Sequence, residues 1–253
     1  MKELMEGGAK IADATTVLLP KPRCVLKVGE GGRGFVLEYP YDVPESVLRQ
    51  AQERDLRLRR RRWSRVVVTA AHCLGKLPPP HAMAFAEEKT YNLLGSLDGG
   101  NANICAECLF VDPVADIAVL GAPDNQASQE MYEQAEAYEA LVDVAPAVRI
   151  GKPRTGRGWI LSLDGNWVPT PVKVHSTLFG VALSTGPTEG GMSGSPILND
   201  AGLAVGVVVI GTETVGRQGN AKEDDFPNGP QPILERDLPG RFVGRVRAAK
   251  KAA

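Results

Sequence analysis

The chain has 253 residues, of which 43% are hydrophobic and 23% are charged, and its formal net charge is −1. This is the composition of an ordinary globular protein with enough chain for one large domain or two modest ones, and the balanced charge gives no overall attraction to nucleic acid or to a membrane. No run approaches the roughly 18 apolar residues that a membrane-spanning helix requires, so membrane proteins of that kind are excluded.

The start of the sequence and its cysteines suggest a location. Residues 1–8 contain no apolar stretch of the kind found in a secretory signal peptide, so we expect a cytoplasmic protein. The 4 cysteines are then expected to be reduced thiols. Cys105 and Cys108 form one CxxC pair, which is weak evidence for zinc without a second pair, and on a strand their side chains would point to opposite faces. No metal site is predicted.

The first half of the chain is predicted to consist of short strands. Glycine (28 residues) and proline (19 residues) are plentiful, while aromatic residues make up only 6%, which is typical of many short strands joined by turns. Apolar runs predict strands at 15–19, 24–28, 35–39, 65–69, 91–96, 104–111 and 117–120.

An insertion at 41–63 interrupts these strands. Good helix formers at 46–58 follow Pro44, which predicts a helix. The helix would end in the arginine-rich run from Arg57 to Arg62. Such a run could bind phosphate or an acidic partner. It could equally be a solvated helix end, because cations are favoured near a helix C-terminus.

The second half begins with an acidic segment. Residues 124–144 are rich in glutamate and in helix formers, which indicates a helical connection between two domains. Beyond it, further apolar runs predict strands at 147–150, 158–163, 167–174, 178–184, 196–198 and 203–210. Residues 214–232 are polar and rich in glycine and proline, which indicates a loop, and a short basic helix is expected from 238 onward.

Three short blocks carry the candidate chemistry. The block GMSGSP at 191–196 suits a tight loop whose backbone amides approach another molecule closely. Its Ser193 would be a weak nucleophile without a neighbouring base. Of the 3 histidines, His72 ends an apolar strand in the block AAHC at 70–73, and Asp116 begins the apolar block DIAVL at 116–120.

Together, and in this order, the three blocks resemble the signature blocks of the chymotrypsin/trypsin-like serine peptidases. The order of histidine, aspartate and serine is informative, because other folds with the same triad use other orders. The ending SGSP at 193–196 is similar to the bacterial branch of the family, which includes glutamyl endopeptidases and the protease domain of HtrA proteins.

The resemblance implies an all-β fold of two six-stranded Greek-key β-barrels with helical insertions. The first barrel would span residues 15–123, with the arginine-rich insertion at 41–63, and would carry the histidine and the aspartate. The acidic connection at 124–144 would follow, and a second barrel at 145–247 would carry the nucleophilic serine. The family uses no cofactor, and none is predicted here.

The resemblance also assigns roles to residues. His72 would be the general base, Asp116 would orient it, and Ser193 would be the nucleophile. The backbone amides of Gly191 and Ser193 would form the oxyanion hole. Asp112 competes with Asp116, which is favoured because the apolar block follows it directly. Ser195 competes with Ser193, which is favoured because it is followed by Gly194, as in the family's motif.

Two positions depart from well-known relatives. Met192 stands where zymogen-activated relatives carry an aspartate that pairs with a newly formed N-terminal amine, so activation by N-terminal cleavage is not expected. The S1 pocket is expected at Thr188, Glu189, Val208 and Gly211. Val208 stands where glutamyl endopeptidases place a histidine, so a preference for acidic P1 residues is not expected, and a small or apolar P1 residue is our prediction.

The sequence therefore predicts a serine endopeptidase that acts on proteins or peptides through an acyl-enzyme intermediate. Neither a membrane nor nucleic acid is an expected partner, in spite of the basic run from Arg57 to Arg62. The alternative is a non-catalytic or gated trypsin-like fold that acts as a protein-binding module. The unusual insertion and the expected cytoplasmic location motivate this alternative. A third possibility is an esterase or another acyl transferase that uses the same triad.

Overall fold

The computed structural model describes residues 17–54, 61–75, 77, 90–126, 128–175, 180–183, 188–209 and 231–244. Its first half forms a closed antiparallel barrel of six strands in the order β1-β2-β3-β6-β5-β4. The strands are β1 (Val25–Val28), β2 (Gly32–Asp42), β3 (Arg61–Thr69), β4 (Tyr91–Ser96), β5 (Ile104–Asp112) and β6 (Ile117–Gly121). The six strands predicted between residues 24 and 120 are thus confirmed, and two of them, β2 and β3, are several residues longer than predicted.

The predicted strand at 15–19 is wrong for its described part, since residues 17–20 form no strand. Pro20 and Pro22 have no amide hydrogen for a ladder, and Leu18 makes a single backbone hydrogen bond, from its N–H to the Asp200 carbonyl at 3.2 Å. The segment therefore contacts the second half of the molecule instead of extending the barrel.

Side chains that alternate between the two faces of the barrel strands contribute to two hydrophobic cores. Phe35 and Leu37 belong to a cluster that includes residues of the second half, such as Leu161 and Leu198. Val36, which lies between them, belongs to a second cluster that includes helix residues 138 and 142. Because successive side chains of a strand point to opposite faces, one strand supplies both cores. The first cluster joins the two halves of the molecule.

The helices predicted in the insertion and in the acidic connection are present, whereas the basic helix predicted from 238 onward is described only as far as residue 244. In the insertion, β2 and β3 pair from Gly34 with Thr69 out to Asp42 with Arg61, and α1 (Glu45–Glu53) lies between them. The helix is shorter than predicted within its described part, and residues 55–60, which include most of the arginine-rich run, lie outside the described residues. The acidic connection forms α2 (Gln129–Val144).

Helix α2 is capped at its N-terminus and attached to the barrel through its middle and its C-terminus. Ser128 caps its N-terminus by accepting a hydrogen bond from the Met131 N–H at 3.2 Å. Tyr138 is buried and donates its hydroxyl to the Leu120 carbonyl at 3.1 Å. At the C-terminus, Arg65 Nη1 donates to the Val142 carbonyl at 2.9 Å and the Asp143 carbonyl at 3.0 Å. These bonds satisfy carbonyls that a helix end leaves without partners.

The described strands of the second half form a five-stranded antiparallel sheet in the order β11-β10-β7-β8-β9. They are β7 (Gly156–Leu161), β8 (Trp167–His175), β9 (Gly180–Leu183), β10 (Pro196–Leu198) and β11 (Ala204–Val207). The protein is thus mostly β, with one closed barrel and a second sheet. A second six-stranded barrel stays a prediction, because residues 176–179, 184–187 and 210–230 lie outside the described residues.

Residues 147–150 do not form the predicted strand. Val148 makes a single parallel bridge to Leu37 of β2, and Ile150 makes another to Ala204 of β11. The segment therefore connects the barrel to the second sheet and belongs to neither. Two short helices, α3 (Leu234–Asp237) and α4 (Gly240–Val243), follow near the end of the described chain. None of the described helices is long and apolar enough to cross a membrane.

Candidate active site

The histidine and the aspartate of the site come from neighbouring strands of the barrel. His72 lies in a single 3-10 turn, Ala71–Cys73, directly after β3. Asp116 immediately precedes β6, which pairs with β3. Asp116 Oδ2 lies 2.6 Å from His72 Nδ1, and Asp116 Oδ1 accepts a hydrogen bond from the His72 backbone N–H at 2.9 Å. The carboxylate thus holds both the ring and the main chain of the histidine.

Asp116 adopts an unusual backbone conformation. Its φ of 54° is the only positive value among the described residues other than glycine. Such a conformation is unfavourable for a residue with a Cβ and persists where the surroundings impose it. Asp112 stabilises the preceding turn, because its Oδ1 accepts hydrogen bonds from the Val114 and Ala115 amides at 2.9 and 3.0 Å. Of the two carboxylates that compete for the acid role, only Asp116 contacts His72 among the described contacts.

The serine lies in a tight loop that requires glycine. Gly191 and Gly194 have φ values of 94° and 85°. A Cβ on Gly194 would lie 1.7 Å from the Arg33 carbonyl oxygen, a distance that no side chain could tolerate. The Gly194 N–H donates to the Val208 carbonyl at 2.7 Å, and the Ser195 N–H donates to the Met192 carbonyl at 3.0 Å. Glycine is therefore required by close packing as well as by conformation.

Met192 anchors this loop in the core. It is buried and packs with residues such as Ile160, Ile197 and Val208. Its sulfur accepts a hydrogen bond from the Glu189 N–H at 3.3 Å, and its own N–H donates to the Glu189 carbonyl at 3.1 Å. The apolar thioether side chain of Met192 thus occupies the position at which zymogen-activated relatives would carry an aspartate.

A cleft of about 920 Å³ brings the candidate residues together. His72, Gly191 and Ser193 all line it. Ser193 is 3% exposed, and its hydroxyl has no hydrogen-bond partner among the described residues, so the serine shares the cleft with His72 without being hydrogen-bonded to the imidazole. Among the described backbone contacts, the amides of Gly191 and Ser193 donate to no carbonyl. Within the described part of the chain, the two predicted oxyanion-hole donors are therefore not used in backbone hydrogen bonds.

The residues predicted for the S1 pocket are placed differently. Thr188 is partly exposed and Glu189 is exposed, whereas Val208 is fully buried beside Met192. None of these three residues lines the cleft that contains Ser193. Gly211 lies outside the described residues. The pocket assignment therefore stays a prediction.

The four cysteines are free thiols. Burial raises the pKa of Cys24 to about 12 and raises the pKa of Cys73 above its ordinary value. Cys73 lines the cleft, and its Sγ lies 3.6 Å from the Ser193 carbonyl oxygen. A Cβ on Gly32 would lie 2.7 Å from the Cys73 sulfur, so the thiol leaves no room for a side chain at position 32. Within the described ranges, no cluster of side chains could hold a metal ion.

Sequence reasoning missed Arg33. Its backbone N–H donates to the Ser193 carbonyl at 2.8 Å, and only 5% of the residue is exposed. Arginine is rarely buried without a partner, and an arginine between two glycines of a hairpin gives no signal that would distinguish it from a surface residue. The burial of Arg33 becomes evident only in the structure, where the two halves of the molecule pack around it.

Comparisons with solved structures return serine proteases of low identity. A human pathogenic astrovirus serine protease is 14% identical, with 76% of this chain and 86% of that chain covered and a TM-score of 0.40. A serine endoprotease from Yersinia pestis is 12% identical, with 91% and 66% covered and a TM-score of 0.42. The active form of the Rv3671c protease from M. tuberculosis is 15% identical, with 83% and 78% covered and a TM-score of 0.36.

No curated protein matches the sequence. The trypsin-like peptidase domain, by contrast, matches residues 58–207, which is more than half of the chain and includes all three signature blocks. The chain belongs to the family of trypsin-like serine peptidases.

Proposed function

We propose that this protein is a serine endopeptidase with Ser193 as nucleophile, His72 as general base and Asp116 as the residue that orients the base. The observation that carries the proposal is the double contact of Asp116 with the ring and the main chain of His72. This contact directs the proton of the neutral imidazole to Nδ1 and leaves Nε2 free to accept one.

In the proposed reaction, His72 Nε2 takes the proton of the Ser193 hydroxyl as the oxygen attacks the carbonyl carbon of a peptide bond. The negative charge that forms on the carbonyl oxygen is stabilised by the Gly191 and Ser193 amides. The imidazolium then protonates the leaving amine, and an acyl-enzyme remains. Water, deprotonated by His72, attacks the ester, and the protonated histidine returns its proton to Ser193 as the acid product leaves.

The reaction requires a hydrogen bond from the Ser193 hydroxyl to His72 Nε2, which is absent among the described contacts. In proteases without substrate, catalytic hydrogen bonds are often long and tighten only in the complex. The substrate class that we propose is protein or peptide, with cleavage after small or apolar residues. We also propose that the second sheet is part of a second six-stranded barrel, as in the rest of the family.

The alternative function is a gated or non-catalytic fold that binds protein. The buried, unpartnered hydroxyl of Ser193 favours this alternative. A Ser193→Ala variant separates the two functions, because it removes the nucleophile while leaving the loop backbone intact. An endopeptidase loses hydrolysis of a denatured protein such as casein in this variant. A binding module shows no hydrolysis with either chain and retains its partner with both.

A further inference from the structure

Arg33 is a buried cation between the two halves of the molecule. It lies in β2, and only 5% of it is exposed. Burial lowers the pKa of its guanidinium, and no carboxylate of the described chain contributes to that shift. Burying a charge without a counter-ion is unfavourable unless hydrogen bonds compensate for the lost water. The hydrogen bonds of Arg33 must therefore offset the unfavourable burial of its charge, and their partners indicate its role.

The side chain of Arg33 reaches the second sheet. Its Nη1 donates to the Leu161 carbonyl at 2.9 Å and to the Ser162 carbonyl at 3.0 Å, where β7 ends. Hydrogen bonds from a charged donor are stronger than those between neutral groups. The end of β7 is thus attached to β2 of the barrel by one buried guanidinium.

The main chain of Arg33 holds the nucleophile loop. Its N–H donates to the Ser193 carbonyl at 2.8 Å. Its carbonyl oxygen accepts the Thr69 hydroxyl at 2.6 Å and packs so closely against Gly194 that a Cβ there would lie 1.7 Å away. One residue therefore fixes the serine loop and the end of β7 at the same time.

The end of β7 in turn contacts the loop at Gly191. A tight turn follows Ser162, whose N–H donates to the Asn166 carbonyl at 2.9 Å. The Asp164 carboxylate accepts hydrogen bonds from Ser162 and Asn166 within this turn. Leu163, held in the turn, has its Cδ2 3.4 Å from the point where a Cβ on Gly191 would lie.

We propose that Arg33 is a positioning residue for the oxyanion hole: it fixes the end of β7 against the serine loop, so that the Gly191 and Ser193 amides keep the spacing that a developing oxyanion requires. The inference rests on the proposed peptidase function. Arg33 touches no reacting atom and does not line the cleft, so it acts only through the groups that it holds.

The test compares Arg33→Met and Arg33→Lys with the control Arg157→Met. Arg157 lies in β7 itself, but it pairs with Asp200 at 2.8 Å and makes no described contact with the serine loop. Two quantities are measured on folded protein: the saturating rate at which a fluorophosphonate labels Ser193, as a function of pH, and hydrogen exchange of the amides at 189–194.

Arg33→Met is expected to lower the saturating rate about 100-fold, which is the effect of losing one oxyanion donor. The pH at half-maximal rate is expected to stay unchanged, because the His72–Asp116 pair is untouched. Exchange at 189–194 becomes faster than in the Arg157→Met control. Arg33→Lys recovers most of the rate and of the protection, since an ammonium can donate to both carbonyls.

Equal rates and equal exchange in Arg33→Met and in wild type would overturn the inference. The inference would also be overturned if the labelling rate of Arg33→Met fell only in proportion to the unfolded fraction. The same holds if Arg33→Lys were labelled no faster than Arg33→Met. If the wild-type protein is not labelled, the proposed peptidase function fails. The hydrogen exchange of the amides at 189–194 then tests the role of Arg33 by itself. Faster exchange at 189–194 in Arg33→Met than in Arg157→Met supports the role of Arg33, and equal exchange excludes it.

Discussion

Asp116 holds His72 by two separate hydrogen bonds, one to the ring at Nδ1 and one to the backbone N–H. The two bonds fix both the direction of the imidazole and the position of the turn that carries it. Asp116 makes this contact from a backbone with a positive φ of 54°, a conformation that is unfavourable for a residue with a Cβ. The candidate base is therefore oriented before any substrate binds.

The first prediction concerns this carboxylate. Asp116→Asn preserves the size of the side chain but removes the charge that stabilises the imidazolium, and its amide favours the wrong tautomer of His72. We expect the rate of peptide hydrolysis to fall about 10⁴-fold. The measurement is kcat/KM on a peptide that the wild-type protein cleaves.

Asp112→Asn is the matched control, because Asp112 caps the same turn without touching His72. It should keep a rate within about tenfold of wild type, since the asparagine oxygen can still accept both amide hydrogen bonds and even the loss of one would cost only about 1 kcal/mol. Equal losses in both variants would show that the turn, and not the charge at Asp116, matters for the reaction.

A second prediction follows from close packing at the serine loop. Gly194→Ala would place a Cβ 1.7 Å from the Arg33 carbonyl oxygen at a positive φ, whereas a Cβ on Gly190 meets nothing within 4 Å. We expect Gly194→Ala to lower the free energy of unfolding by at least about 3 kcal/mol, and Gly190→Ala to change it by less than about 0.5 kcal/mol. Urea unfolding of both variants checks the difference. Similar stabilities would mean that the loop can move away from Arg33.

The strands of the barrel and the residues of the candidate site could be predicted from the sequence, but the contacts between the two halves could not. Strands such as β3 and β6 follow from runs of buried β-branched residues, and His72 and Asp116 stand out because they border those runs. The segment at 147–150 has the same apolar character, yet it only bridges two sheets, since its partners are decided by how the halves pack. Arg33 carries no local signal for the same reason: its function depends on Leu161 and Ser162, far away in the sequence.

Met192 provides a third prediction. Because it is buried in an apolar cluster, Met192→Ala should lower the free energy of unfolding by about 2–5 kcal/mol. Met192→Leu keeps the volume and should lose less than about 1.5 kcal/mol. Thermal or urea unfolding measures both values. If leucine is as disruptive as alanine, the sulfur's contact with the Glu189 amide matters more than packing.

A fourth prediction concerns activation. Met192 cannot form an ion pair with a newly exposed N-terminal amine, so removing residues 1–14 should create no activity. The measurement is peptide hydrolysis by the full chain and by a variant that begins at Thr15. Activity that appears only after trimming would show that the loop depends on N-terminal cleavage in spite of Met192.

The most direct test of the account is covalent labelling of Ser193 by a fluorophosphonate, located by mass spectrometry of the labelled peptide. We expect labelling of the wild type at Ser193, none in Ser193→Ala, an unchanged rate in Ser195→Ala, and a rate about 10⁴-fold lower in folded His72→Ala. Absence of labelling in the folded wild-type protein, or labelling that does not depend on His72, would contradict it.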